Sequence, residues 1–229
     1  MKYTKPELSK SALVTIDTQC DFSLPGAAAE IPGTIDVIPN MRSLLAAYRQ
    51  CSLPIVHIVR LYMPDGSNVD LCRREMIEGG TRFVEPGTEG AELVSDLKPT
   101  PDATLDTDLL LKGQVQEWGQ KEFVIYKSRW GAFYNTLLHD HLHKLGVNTL
   151  VVCGCNFPNC PRTTIYEASE RDYKVVLVED AVSGIYEKGK NELRNIGVHL
   201  CSTDLVIEQI GTESGTAPDS GTASLNRRG

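Results

Sequence analysis

Six short apolar runs, interleaved with stretches of helical periodicity, constrain this chain more than any other feature. They are Ala12 to Thr18, Pro54 to Tyr62, Glu122 to Lys127, Thr149 to Cys155, Lys174 to Asp180 and Val198 to Thr203. Runs of this length rich in Val, Ile, Leu and Thr read as strands, and apolar residues on both alternating faces mean that both faces are covered. Between them, Ile35 to Gln50 places Met41, Leu44, Leu45 and Tyr48 on one helical face, and Thr136 to Leu145 and Tyr186 to Asn195 are shorter helices of the same kind. Strands of this sort alternating with helices predict an α/β fold, a three-layer α/β/α sandwich around a mainly parallel six-stranded sheet.

The alternation breaks between Met63 and Gln120, where "MPDGSN", "EGGTRFVEPGTEG" and "KPTPDAT" read as loops around a helix near Gly90 to Asp96. That is long for a plain connection, which points to a lid, a pocket wall or an oligomer contact. Within it, Leu109 to Gln120 carries Leu109, Leu110, Leu111 and Trp118, which read as core rather than as a specialised lid. From Gly211 the chain turns small and polar, so the organisation expected is one domain over residues 1–210 and a flexible low-complexity tail over 211–229.

A formal charge of −7 with no compensating basic block excludes a dedicated nucleic-acid or membrane-surface binder. Nothing near Met1 has the order of a signal peptide and no apolar run is long enough to span a bilayer, so a cytoplasmic protein is expected. Seven cysteines, an odd number, make a poor disulfide framework and fit a reducing compartment.

In open parallel sheets ligands bind beyond the carboxyl ends of the strands, so chemistry is sought where each apolar run stops. The first run ends in "TIDTQCDF", with Asp17 followed by Asp21 and Phe22; alone, such an aspartate serves equally well as a turn cap. The run "EFVIYK" ends in Lys127 and continues into a loop with Trp130, Gly131 and Phe133; a single lysine there is more often a solvated charge. After "TLVVCG" comes "CNFPN", then Cys160, Pro161 and the helical "RTTIYEAS". Proline favours the first helical position, which puts Cys160 at the N-cap. There the free N–H groups and the helix dipole lower a thiol pKa and can hold an oxyanion, so Cys160 reads as a nucleophile. Cys153 lies inside the strand and reads as core. Cys153, Cys155 and Cys160 lack paired zinc-ligand spacing, and Cys155 and Cys160 lack C-x-x-C spacing, although a regulatory disulfide between the last two stays open. His139, His141 and His143 do not share one helix face, which disfavours a metal trio.

Taken together, "DTQCDF", "KSRWGAF" and "CGCNFPNCPRTTIYEA", with "PGTEGAEL" at residues 86–93, resemble the isochorismatase-like cysteine hydrolases over roughly residues 8–210. That family includes nicotinamidases, carbamoylsarcosine and ureidoacrylate amidohydrolases, and streptothricin hydrolases. The resemblance implies Asp17 as general base, Lys127 as its cationic partner and Cys160 as nucleophile. It also implies a non-proline cis peptide at Cys155–Asn156, an oxyanion hole from the N–H groups of Asn156 and Cys160, and a substrate pocket walled by Phe22, Trp130 and Phe133. The activity implied is hydrolysis of a C–N bond in a small amide, ureido or lactam substrate through an acyl-enzyme, without a metal or cofactor, in a homodimer or homotetramer.

Departures from the family pattern bear on substrate. Pro161 stands where valine or a similar residue is usual, and Cys20 where asparagine is usual. The stretch "HIVRLYMPDGSN" offers only His57 toward a nicotinamidase-type metal site, which disfavours a metal-assisted nicotinamidase. Cys160 itself argues against vinyl-ether cleavage, since isochorismatases lack that nucleophile. Arg73, Arg74 and Arg82 read either as partners of an anionic substrate or as solvated and intersubunit charges. Two rival readings remain: a catalytically idle binding or scaffold subunit, and a thiol redox or sensing protein using Cys155 with Cys160.

Overall fold

The computed structural model describes residues 2–213. In chain order it contains β1 (Ser11–Ile16), α1 (Cys20–Ser23), α2 (Thr34–Gln50), β2 (Ile55–Val59), α3 (Leu71–Glu78), α4 (Thr107–Leu111), β3 (Gln116–Gly119), β4 (Glu122–Tyr126), α5 (Leu138–Lys144), β5 (Thr149–Gly154), α6 (Cys160–Ser169), β6 (Lys174–Val182), α7 (Glu187–Asn195), β7 (His199–Cys201) and α8 (Thr203–Glu213). The strands form one seven-stranded sheet in the order β3-β4-β2-β1-β5-β6-β7. Every pairing is parallel except β3 with β4.

The period-2 alternation of β1 builds both outer layers. Ala12, Val14 and Ile16 join Leu138, Leu142, Ile165 and Leu193 in one core, under α5, α6 and α7. Leu13 points the other way and joins Met41, Leu44, Leu45, Tyr48, Val206 and Ile210, under α2 and α8. A third cluster, with Tyr62, Phe83, Leu110 and Val124, roofs the segment between β2 and β4. Cys153 is buried in the second core, where its thiol pKa is pushed up by burial.

Three sequence expectations are corrected here. The sheet has seven strands, not six, because "QEWG" within the 109–120 segment pairs with β4 as an antiparallel edge. As expected of core residues, Leu110 and Trp118 of the same segment belong to the third cluster, with Trp118 donating Nε1–H to the Thr104 carbonyl at 3.1 Å. Gly90 to Asp96 forms two short 3-10 turns rather than a helix, whereas the polar "LCRREMIE" forms α3. Finally α8 runs through Glu213, past the boundary expected at residue 210; the rest of the expected tail, 214–229, lies outside the described residues. Among the described residues no helix is long and apolar enough to cross a membrane.

The order of strands sets the position of the site. The chain builds β2 and β4 on one side of β1, then crosses to lay β5, β6 and β7 on the other. The order in which strands are laid down therefore reverses between the parallel neighbours β1 and β5, and a crevice opens beyond the carboxyl ends of strands at such a switch point.

Candidate active site

Four strand ends supply the crevice. Just past β1, Asp17 adopts φ 52°, a left-handed conformation uncommon outside glycine but most accessible to Asp and Asn. Its N–H still bonds the Ile58 carbonyl at 2.9 Å, so the turn begins as the ladder ends. Lys127 follows β4, and its Nζ donates to Asp17 Oδ2 at 2.8 Å. Both side chains are almost fully buried, 0% and 5% exposed, so each charge depends on the other for solvation. The second carboxylate oxygen, Asp17 Oδ1, is buried with no hydrogen-bond partner among the described residues.

Cys160 stands beside that carboxylate at the start of α6. Asn159 is the N-cap, so Cys160 is the first helical residue and Pro161 the second, one position later than expected. The thiol differs from expectation more substantially. Burial pushes its pKa up, and the Asp17 carboxylate pushes the same way, while Lys127 and Arg60 oppose. Desolvation and the facing carboxylate thus both work against the thiolate in the resting site.

The approach to Cys160 is shaped by the β5–α6 loop. Gly154 has φ 121°, and a Cβ there would come within 2.2 Å of the Ile16 carbonyl oxygen, so only glycine lets β5 pass β1 this closely. The next peptide, Cys155–Asn156, is cis. Cys155 donates its thiol to the Asp17 carbonyl at 2.9 Å, tying the two loops together. Neither the Asn156 nor the Cys160 N–H has a backbone carbonyl partner among the described residues.

Two residues that sequence reasoning did not single out complete the arrangement. Arg60, just past β2, is fully buried; Nη1 pairs with Asp70 at 2.5 Å and Nη2 lies 3.7 Å from Cys160 Sγ. Gln19 is buried too, and its side-chain amide acts as an extra peptide group. It accepts from Arg60 N at 2.7 Å and donates to the carbonyls of Arg60 and Ala91 at 2.7 and 2.6 Å. The only sequence signal for either is a polar residue embedded in, or next to, an apolar run.

A small cavity, about 210 Å³ of empty space including its mouth, is lined by Asp17, Phe22, Ile31, Arg73, Trp130, Cys155, Asn156, Asn159 and Cys160. Phe22 and Trp130 thus stand where expected. Phe133 does not line this cavity: its ring packs 5.7 Å from that of Tyr173, with the Arg171 guanidinium 5.0 Å from its centroid. The reason lies in how α6 holds the loop. Glu167 accepts the Phe133 N–H at 2.9 Å and Thr164 accepts that of Ala132 at 3.1 Å, turning Phe133 under the helix while Trp130 stays at the opening. Of the three arginines, Arg73 reaches the cavity; Arg82 instead bonds the Ile77 carbonyl. His57 lies under the sheet, bonded to Thr15 and Glu122 at 2.8 and 2.9 Å. A larger groove lies elsewhere, between Lys5, Leu8, Cys201 and Glu208, apart from the buried Asp17, Lys127 and Cys160.

The isochorismatase domain family matches residues 11–204. The chain belongs to the isochorismatase family. It is 32% identical over 196 residues to a protein of Arabidopsis thaliana named probable inactive nicotinamidase, covering 82% of this chain and 90% of that one. It is 28% identical over 180 residues to maleamate amidohydrolase of Pseudomonas putida, covering 76% and 72%. The crystal structure of an isochorismatase family protein from Desulfovibrio vulgaris superposes with a TM-score of 0.74 at 32% identity, covering 88% of this chain and 98% of that one. The fold and the family are those the three sequence motifs pointed to. Relatives named as amidohydrolases support a hydrolase of small amides.

Proposed function

We propose that this family member hydrolyses a C–N bond in a small amide, ureido or lactam substrate by covalent catalysis at Cys160. One observation carries the reading: a buried thiol beside a carboxylate that is held on one oxygen by Lys127 and has its other oxygen without a partner. That oxygen is the one left to accept the thiol proton.

In the first half-reaction Cys160 Sγ attacks the substrate carbonyl carbon as the thiol proton passes to Asp17 Oδ1. The carbonyl oxygen becomes an oxyanion, received by the N–H groups of Asn156 and Cys160. Collapse breaks the C–N bond, and the proton on Asp17 goes to the nitrogen, which departs as ammonia or an amine or, from a lactam, stays tethered to the acyl group. In the second, water attacks the thioester and gives a proton to Asp17; the thiolate is expelled and reprotonated, and the acid departs. Lys127 fixes the Asp17 carboxylate, and Lys127 and Arg60 both favour the ionised sulfur whenever it forms. Phe22 and Trp130 wall the substrate.

The Arabidopsis relative's name points to the alternative of an idle subunit. The deciding test is release of ammonia or acid from a panel of primary amides, ureido acids and lactams, run beside Cys160→Ala. Turnover of one compound that disappears in the variant supports the hydrolase. Silence across the panel favours the idle reading.

A further inference from the structure

The loop between β4 and α5, residues 127–137, is held from the helix that carries Cys160. Ala132 donates its N–H to Thr164 Oγ1 at 3.1 Å, and Phe133 donates to Glu167 Oε2 at 2.9 Å. Thr164 and Glu167 stand four and seven residues after Cys160 on α6, so the sulfur and both acceptors share one helix face. A single element thus carries the nucleophile and seats the loop that faces it.

Gly131 shows how closely the loop is seated. A Cβ at that position would overlap all three atoms of the Glu167 carboxylate, so the backbone lies directly on the acceptor. The glycine is not left-handed, and what it supplies here is room. Phe133 is clamped beside its tether, 5.7 Å from the Tyr173 ring and 5.0 Å from the Arg171 guanidinium. Trp130, one residue before Gly131, reaches the cavity and meets the guanidinium carbons of Arg60 and Arg73 at 5.2 and 5.1 Å. Such stacking orients the ring, whereas the backbone that carries it is fixed by the bonds to α6. With only about 210 Å³ behind its mouth, the cavity changes what it admits when this wall shifts slightly.

We propose that Glu167 is a positioning residue, which fixes the Trp130 wall relative to Cys160 and so limits the width of the acyl group that reaches the sulfur. The word acyl rests on the hydrolase reading above; the placement of the wall does not. The donor is a neutral peptide N–H, so the bond needs an acceptor oxygen rather than a charge, and Gln serves there where Ala does not.

The test is built on the full chain carrying Trp118→Phe, which leaves Trp130 as the one tryptophan of the original two. Its emission and acrylamide quenching report the wall. Alkylation of Cys160 by N-methylmaleimide and N-benzylmaleimide reports the width of the opening, read on the Cys160 peptide by mass spectrometry because Cys72 is exposed. Glu167→Ala is expected to red-shift the emission and to shrink the small-over-large rate ratio about threefold or more, since small misplacements near a reacting atom are costly. Glu167→Gln is expected to leave both readings near those of the background. Gly131→Ala displaces the carboxylate and is expected to act as Glu167→Ala does, and the two together to do no more than either, as for one shared contact. Melting temperatures confirm folding, and Gly131→Ala, which keeps Glu167, carries the test if Glu167→Ala does not fold. In turnover, Glu167→Ala is expected to move preference toward amides with wider acyl groups, mainly through KM.

Unchanged emission and rate ratio in Glu167→Ala, a Gln variant as altered as the Ala one, or additive effects of Gly131→Ala and Glu167→Ala would overturn the proposal. So would hydrolysis whose width preference does not move, an outcome that leaves the hydrolase reading standing. A wall that moves in a chain hydrolysing none of the panel would overturn the hydrolase reading and keep the positioning role.

Discussion

Arg60 Nη2 lies 3.7 Å from Cys160 Sγ, placing a second buried cation beside the sulfur that already faces Lys127 across Asp17. The contact joins the end of β2 to the start of α6 and makes the thiol part of a charge network rather than an isolated nucleophile.

Replacing Arg60 by Met strands Asp70, whose side chain is 4% exposed, and removing one partner of a buried pair costs about 3–5 kcal/mol. Urea unfolding checks that loss. Adding Asp70→Asn is expected to restore most of the stability without restoring the rate of Cys160 alkylation, because the cation that favours the thiolate is still missing.

Asp17→Asn separates acidity from catalysis. The carboxylate raises the Cys160 pKa, and Lys127 and Arg60 lower it. Removing the negative charge leaves the cations unopposed, so the thiol pKa falls and iodoacetamide reacts faster near neutral pH. Amide turnover is expected to drop about 100-fold or more with the base gone. Slower alkylation in this variant would refute the assigned electrostatics.

Cys155→Ser keeps a donor to the Asp17 carbonyl, where the thiol bonds at 2.9 Å. Turnover in reducing buffer is therefore expected to survive. Its loss, together with a Cys155–Cys160 crosslink in the native chain under mild peroxide, would favour the thiol redox reading.

A second buried network, remote from the cavity, sets the acid limit of stability. Burial raises the Glu122 pKa, but hydrogen bonds from Arg49 and His57 overcome it and bring the carboxyl down to about 2. A carboxylate with a depressed folded pKa contributes stability above its unfolded value of 4.5 and loses it as pH falls toward 2. The contribution is on the order of 3 kcal/mol at neutral pH. His57, held down by burial, adds a loss that begins below its ordinary 6.5. Glu122→Gln is expected to lower stability at pH 7 and to flatten its decline between pH 4.5 and 2, as read by urea titrations across that range.

What could be read from the sequence was what rests on periodicity and strand ends. Apolar runs buried on both faces point to the parallel sheet; Asp17 and Lys127 stand out because each interrupts the pattern where a strand stops, and Cys160 because it opens the helix after one. Elements whose shape depends on tertiary partners were not legible. Edge strand β3 has two exposed positions in four, and α3 is too polar to show an apolar face. Arg60 was hidden for the opposite reason: an arginine inside "IVRLY" reads as a charge passing through a strand, and only the distant Asp70 and Cys160 explain its burial. The surroundings of Cys160 are not legible either: a helix N-terminus is visible in sequence, whereas the desolvation and the facing Asp17 carboxylate that push its pKa up are not.

The most direct test of covalent catalysis is mass spectrometry of the full chain, acid-quenched during turnover of a substrate found in the amide panel. An acyl adduct, labile to hydroxylamine, is expected on the peptide carrying Cys160 and absent from Cys160→Ala. An adduct elsewhere, or turnover by Cys160→Ala at the native rate, would contradict it.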